Sequence, residues 1–319
     1  MENIADSARI IGHYRGKEVG PLVVAIGGIH GNEPAGVQAL ERLFELLEEE
    51  PRINPGFNFK GELLALRGNL AALATGERYI DMDLNRIWRA RETHTDNFTS
   101  SEDREIHELL TAIEIAVEEA PLSELVLLDL HTTTAHGGIF AITGDDNPSL
   151  MLAAEMSVPV IKGMLSGLQG TTLHYFHGDN FATDLPVRAI SFESGYHQDP
   201  ASIDLALAAT VNLLRALGCV RTEDVNTYHD ELLRKAACEL PRLTELVYVH
   251  HIAPDGSDGF RMRPGYGNYH PVTQGEILAK DKSGPIHAPV TGYLLMPLYQ
   301  DLGDEGFFIV RDYHVPSAY

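Results

Sequence analysis

An imidazole and a carboxylate three residues apart, His30 and Glu33, lie in the run Gly27-Gly28-Ile29-His30-Gly31-Asn32-Glu33, directly after the apolar stretch Leu22-Val23-Val24-Ala25-Ile26. Zinc accepts nitrogen and carboxylate oxygen ligands, and a catalytic site takes three from protein while keeping one position for water. The pair offers two such ligands, and the glycines let the backbone turn tightly enough for both to converge. A third candidate, His131, closes the run Leu125-Val126-Leu127-Leu128-Asp129-Leu130-His131. A nearly continuous apolar run of this length suits a strand covered on both faces. Open α/β sheets bind ligands beyond the carboxyl ends of their strands. Asp129 shares a strand face with His131, because side chains repeat every second residue, and so is placed to orient the imidazole.

Two further clusters carry chemistry. In Arg78-Tyr79-Ile80-Asp81-Met82-Asp83-Leu84-Asn85-Arg86-Ile87-Trp88, the adjacent Asn85 and Arg86 offer an amide and a guanidinium fork suited to a carboxylate. Arg78 adds another cation, and the competing reading pairs these arginines with Glu77, Asp81 and Asp83 on a solvated surface. Ala189-Ile190-Ser191-Phe192-Glu193-Ser194-Gly195 reads as a buried strand with one acid near its end. A charge is costly to bury unpaired, so Glu193 is either structural or a group with a tuned pKa.

The elements that must position these residues alternate. Apolar residues at helical spacing run from Ala35 to Glu50 and from Ser101 to Glu119. Helices are also expected over residues 149–156, from Pro200 to Leu217 and from Asp224 to Leu240. Strands alternating with helices predict a mainly parallel sheet with helices on both faces. Beyond Pro241 the runs become short and broken by Gly, Pro and Asn, which predicts a small C-terminal β domain. Residues 1–240 then form the main α/β domain and residues 241–319 the second. Within the latter, Pro271-Val272-Thr273-Gln274-Gly275-Glu276-Ile277-Leu278 is echoed by Pro289-Val290-Thr291-Gly292-Tyr293-Leu294-Leu295, an imperfect repeat of barrel-sandwich type.

The chain has 319 residues and a formal net charge of −22. That charge disfavours nucleic acid and anionic membranes as partners. The first residues lack the basic and apolar regions of a signal peptide, no apolar run is long enough to span a bilayer, and Cys219 and Cys238 make no disulfide framework. The expectation is a cytoplasmic protein, with a homo-oligomer among the partners it allows. The scattered histidines (His174, His177, His250, His251, His270 and His287) read as packing or surface groups rather than a second metal site.

The clusters around His30 and Glu33, Arg78 to Arg86, Asp129 and His131, and Glu193, in that order, resemble the aspartoacylase/succinylglutamate desuccinylase family, whose core is similar to that of zinc carboxypeptidases. The resemblance covers roughly residues 20–200. It implies one zinc per chain held by His30, Glu33 and His131, with Glu193 as general base and Arg78 stabilising the oxyanion. Asn85 and Arg86 would hold the free carboxylate of a small anionic N-acyl amino acid, whose amide bond is hydrolysed. Two departures stand out. Thr183 falls where the family has an arginine that reads the substrate side chain, with Arg188 nearer to Glu193, and the family's C-terminal tyrosine has only Tyr293 and Tyr299 as candidates. A metallocarboxypeptidase or an esterase acting on a larger acyl compound is the alternative chemistry. A non-catalytic metal-dependent binding protein is disfavoured by the presence of both Glu193 and Arg78.

Overall fold

The structure is a computed structural model and describes residues 8–88, 98–177, 180–225, 227–253, 255–300 and 302–313. His94 and Asp96 lie outside the described residues. At its centre, strand β2 (Glu18–Gly27) runs parallel to both β3 (Lys60–Arg67) and β4 (Leu125–Thr133). β4 in turn runs parallel to β7 (Val187–Tyr196). Outside β3 lies β1 (Ile10–Arg15), antiparallel. On the other side follow β5 (Phe140–Thr143), antiparallel to β7, and β6 (Val160–Lys162), parallel to β5.

Both faces of this sheet are covered, which is why its strands read as continuous apolar runs. Helix α1 (Ala35–Ile53) turns Val37, Leu40, Leu43 and Leu47 inward. There, Leu40, Leu43 and Leu47 share a core with Val23, Ala25, Leu63 and Ala65, joined by α6 (Ala201–Ala216). The opposite strand face, with Leu22, Val24, Ile26, Leu64 and Leu66, meets Ile106, Leu109 and Ile113 of α3 (Ser101–Glu119). Each fully buried aliphatic side chain contributes about 1.5–3 kcal/mol. α3 starts in a capping box, Ser100 and Asp103 satisfying each other's backbone N–H groups. Between these helices lies α2 (Leu70–Thr75), capped by the Asn69 side chain. The later part of the chain adds α4 (Asn147–Glu155) and α5 (Thr172–His177).

The expected fold class is what the structure shows, and its C-terminal β region continues the main sheet. β8 (Leu243–His251) runs parallel to β6, so backbone bonds carry the sheet across residue 241. β14 (Glu305–Asp312), β13 (Gly292–Leu295) and β10 (His270–Val272) follow, all antiparallel, giving eleven strands. A second sheet of β9 (Arg261–Met262), β11 (Ile277–Asp281) and β12 (Gly284–His287) completes this region, which has its own core of Phe260, Val272, Leu278, Leu294, Phe307 and Ile309. The two copies of the repeat meet here, with Pro271 opposite Tyr293 in the β10–β13 ladder. Among the described residues no helix is long and apolar enough to cross a membrane.

The helix expected from Asp224 to Leu240 is shorter. A 3₁₀ turn over Thr222–Asp224 precedes α7 (Tyr228–Ala236). Pro241 disfavours helical backbone in the residue before it, and the chain closes instead with a turn from Leu240 N–H to the Ala237 carbonyl. α7 docks on α6 through Asp230, which accepts from Arg215 at 2.6 and 2.7 Å and from Asn212 at 3.0 Å. The Arg215 hydrogen bonds hold the Asp230 carboxyl below the usual carboxylate range. A depressed folded-state pKa contributes stability that is present above the unfolded value and lost as pH falls through the folded one. Asp230→Ala should therefore cost about 1.5–3 kcal/mol near neutral pH, and the gap to the parent should close in acid. Urea titrations across pH check this. A gap independent of pH would assign the loss to packing alone.

Candidate functional site

Three adjacent parallel strands present their carboxyl ends together. β2 delivers the loop bearing His30 and Glu33, β4 delivers His131, and β7 delivers Glu193 directly opposite His131 in register. The loop after β2 turns through Gly28 at φ +76°, and a Cβ on Gly31 would overlap the Ala72 carbonyl. Glycine is required at both.

His30, Glu33 and His131 are all buried, and one ligand atom from each falls within 4.8 Å of the others. Among the described residues they are the one group of three or more His, Cys, Asp or Glu with this convergence. Both imidazoles point the same edge inward: Nδ1 of His30 lies 2.8 Å and Nδ1 of His131 lies 3.1 Å from the Glu33 carboxylate. Their other edges are held from behind, His30 Nε2 by Asp83 at 3.1 Å and His131 Nε2 by Asp129 at 3.0 Å. A carboxylate on the outer nitrogen fixes the tautomer and directs the inner lone pair toward a ligand position. Glu33 also accepts from the Thr132 backbone N–H at 2.9 Å. Burial pushes the Glu33 carboxyl up, but the two imidazoles outweigh it and hold it well below the usual range. Burial pushes His131 down, and Asp129 with Glu33 reverses this to favour a positive charge there. The donor set thus fits a divalent cation with nitrogen and oxygen ligands.

Glu193 faces the same cavity in a different state. Its carboxyl is buried, Oε2 has no hydrogen-bond partner, and burial pushes its pKa up to about 8. Arg78 is anchored through Nε and Nη2 to Asp83 at 3.1 and 2.9 Å, while Nη1 lies 3.6 Å from Glu33. Arg78 thus pairs with Asp83, one of the acids of the competing reading, but the pair is largely buried and Arg78 lines the cavity instead of a solvated surface.

The Asn85–Arg86 fork is placed on the cavity wall but is not free. Asn85 Oδ1 accepts from the Thr172 N–H at 3.0 Å, and the Arg86 guanidinium is bonded to Asp304 and Glu305. Tyr293 and Tyr299 do not line the cavity; Tyr299 instead bonds backbone groups of Arg263 and Tyr266. Arg188 pairs with Glu124, and the Thr183 hydroxyl accepts from the Leu185 N–H. Tyr175 and Phe176 belong to the core beneath the site.

Sequence reasoning passed over three contributors. Asp83 was assigned only to an arginine, and it also holds His30. Thr172, at the start of α5, donates to Asp129 at 2.6 Å. His197 lines the cavity, bonded through Nδ1 to Thr132 Oγ1 at 2.6 Å with Nε2 buried and unpartnered. Burial pushes its imidazole pKa down. Spacing to Glu193 on the outgoing strand was the available signal for His197, whereas nothing in its neighbourhood marked Thr172.

The fold is thus a mainly parallel α/β sheet with a His/Glu/His cluster at its strand ends that could hold a metal ion. The chain belongs to the succinylglutamate desuccinylase/aspartoacylase family, whose catalytic-domain signature matches residues 19–182. That segment contains every residue discussed from His30 to His131 and ends before Glu193. Over 129 residues the chain is 33% identical to a probable aspartoacylase of Nostoc sp., covering 40% of this chain and 41% of that protein. It is 30% identical over 167 residues to a succinylglutamate desuccinylase of Yersinia pestis, covering 50% and 46%. The chain thus spans less than half the length of these curated relatives. Two solved structures share the fold, both at 16% identity. One is a succinylglutamate desuccinylase/aspartoacylase from Rhodobacter sphaeroides, with a TM-score of 0.64 over 93% of this chain and 87% of that one. The other is a succinylglutamate desuccinylase from Chromobacterium violaceum, with 0.63 over 98% and 97%.

The Thr172 contact yields a test. Thr172→Val keeps shape but removes the hydroxyl from a buried carboxylate whose second oxygen has no partner. It should cost about 1.5–3 kcal/mol of unfolding free energy, read as a lower urea midpoint. An unchanged midpoint would mean that Asp129 does not depend on this bond.

Proposed function

We propose that this chain is a zinc-dependent hydrolase that cleaves the amide bond of a small N-acylated amine, the class to which N-acyl amino acids belong. The observation that carries the reading is the convergence of His30, Glu33 and His131 beside the buried, unpartnered carboxylate of Glu193. One zinc per chain would be held by those three side chains. When bound, it supplies Lewis-acid chemistry for a hydrolytic reaction. Family membership supports a deacylase, and the cavity of about 90 Å³ supports a small substrate.

Glu193 acts as the proton carrier in this reading. It takes a proton from the attacking water, whose oxygen adds to the acyl carbon, and gives it to the leaving nitrogen as the C–N bond breaks. The products are a carboxylate and an amine. A carboxyl whose pKa burial raises to about 8 can both accept and return a proton near that pH. Arg78, fixed by Asp83 through Nε and Nη2, turns Nη1 toward the cluster, 3.6 Å from Glu33, where it would stabilise negative charge developing on the carbonyl oxygen. Asp129 and Asp83 orient the imidazoles.

His30→Ala should lose zinc and hydrolysis together while keeping most of the fold, because the two cores on either side of the sheet do not rest on the site. Metal analysis of the purified variant checks this, and retention of one zinc per chain would show that the ligand set is wrong. Glu193→Gln keeps size and hydrogen bonding but cannot accept the proton. Turnover of the best substrate from an N-acetyl, N-formyl and N-succinyl screen should fall by about 10²–10⁴ with zinc retained. Near-normal turnover would remove Glu193 from the mechanism.

A further inference from the structure

Two acids of the C-terminal β region, Glu305 on the cavity wall and Asp304 beside it, take up the guanidinium of Arg86. Nε donates to Asp304 at 3.1 Å, Nη2 to Glu305 at 2.8 Å, and Nη1 to the Asn85 carbonyl at 2.7 Å. The Glu305 pair is well shielded, with side-chain exposures of 17% for Arg86 and 10% for Glu305, while Asp304 at 35% is the wetter partner. The other cation on the cavity wall, Arg78, is bound to Asp83. Among the described residues lining the cavity there is no lysine, and each arginine already has an acid of this chain.

At this end of the cavity one guanidinium is shared by two acids, the wetter Asp304 and the buried Glu305, so the fork has no unpaired positive charge to offer. A substrate carboxylate arriving there would have to displace Glu305 from Arg86 and leave a buried acid without its partner, which is costly. An ammonium group meets the opposite situation: it adds to the network without breaking it. The overall charge of −22 acts in the same direction at long range, attracting cations to the surface and opposing anions.

We propose that Asp304 and Glu305 are specificity-determining residues. By occupying Arg86 they select a substrate whose amine part carries a positively charged amino group, and they reject one that carries a carboxylate at that position. The proposal rests on the deacylase reading of the site and names its substrate class.

The test uses a matched series of equal length on the zinc-loaded full chain: monoacetyl diaminobutane, N-acetyl butylamine and N-acetyl aminobutanoate. Catalytic efficiency should fall in that order, by about tenfold or more from the cationic to the anionic member. The double variant Asp304→Asn/Glu305→Gln keeps the shape of both side chains but removes their charge and should reverse the order, with zinc content unchanged and a lower Tm. Binding is read separately from turnover as the rise in Tm of the unsubstituted protein with free diaminobutane against free aminobutanoate, the diamine giving the larger rise. Preference of the unsubstituted protein for the carboxylated member, in turnover or in binding, would overturn the proposal. So would an order that the double variant leaves unchanged. If no acyl compound is hydrolysed by zinc-loaded protein, the deacylase reading fails, and the binding order alone then decides what the subsite attracts.

Discussion

The Glu33 carboxylate is the point on which the site turns. It is 3% exposed, accepts from the Thr132 N–H and lies 2.8 and 3.1 Å from the Nδ1 atoms of His30 and His131. An ionised carboxylate survives at such depth only if donors surround it, and these come from two strand ends that are far apart in sequence. The loop after β2 must therefore fold back tightly onto β4, which explains both the glycines at 28 and 31 and the close seating of α1 on the loop's far side. Were the β2–β4 register shifted by one residue, His131 would turn to the other face of the sheet.

The same constraint orders the charges around it. Acids outnumber permanent cations around the His30–Glu33–His131 cluster, with Glu33, Asp83, Asp129 and Glu193 against Arg78. Asp83 is satisfied by Arg78 and His30 and is held well below the usual carboxylate range, although burial alone would raise it. Asp129 is held by Thr172 and His131. Glu193 receives neither an arginine nor a hydroxyl on Oε2, so burial sets its state. Two carboxylates within one cavity are thus driven in opposite directions by their surroundings, the arrangement that separates a fixed anion from a proton carrier.

How much of this was legible in the sequence depended on range. His30 and Glu33 could be paired because three residues and flanking glycines suffice, and Asp129 could be joined to His131 by the two-residue repeat of a strand. The central strands β2, β4 and β7 announced themselves as apolar runs because helices cover both faces. The shared cavity of Glu193 and His131 followed from sheet topology. Contacts made across the fold left no local trace. Thr172 lies 43 residues from Asp129, and Glu305 lies 219 residues from Arg86. The Asn85–Arg86 pair shows the limit plainly: its residue types suit a carboxylate, and only the tertiary structure reveals that the carboxylates are the chain's own.

Glu305 can occupy that position because the C-terminal β region shares the main sheet. Its backbone is in register with His251 at the end of β8, β8 is laddered to β6, and β6 to β5, which lies beside Glu193 on β7. A ladder of backbone hydrogen bonds therefore runs from the proposed proton carrier to the acid that closes the cavity. A separate domain on a flexible linker would leave the Arg86 contact to side-chain attraction alone, weakened by the entropy of ordering both partners. Continuity of the sheet instead holds Glu305 beside Arg86 before any substrate arrives, so the ordering cost is met in folding and the position of this acid is a property of the fold.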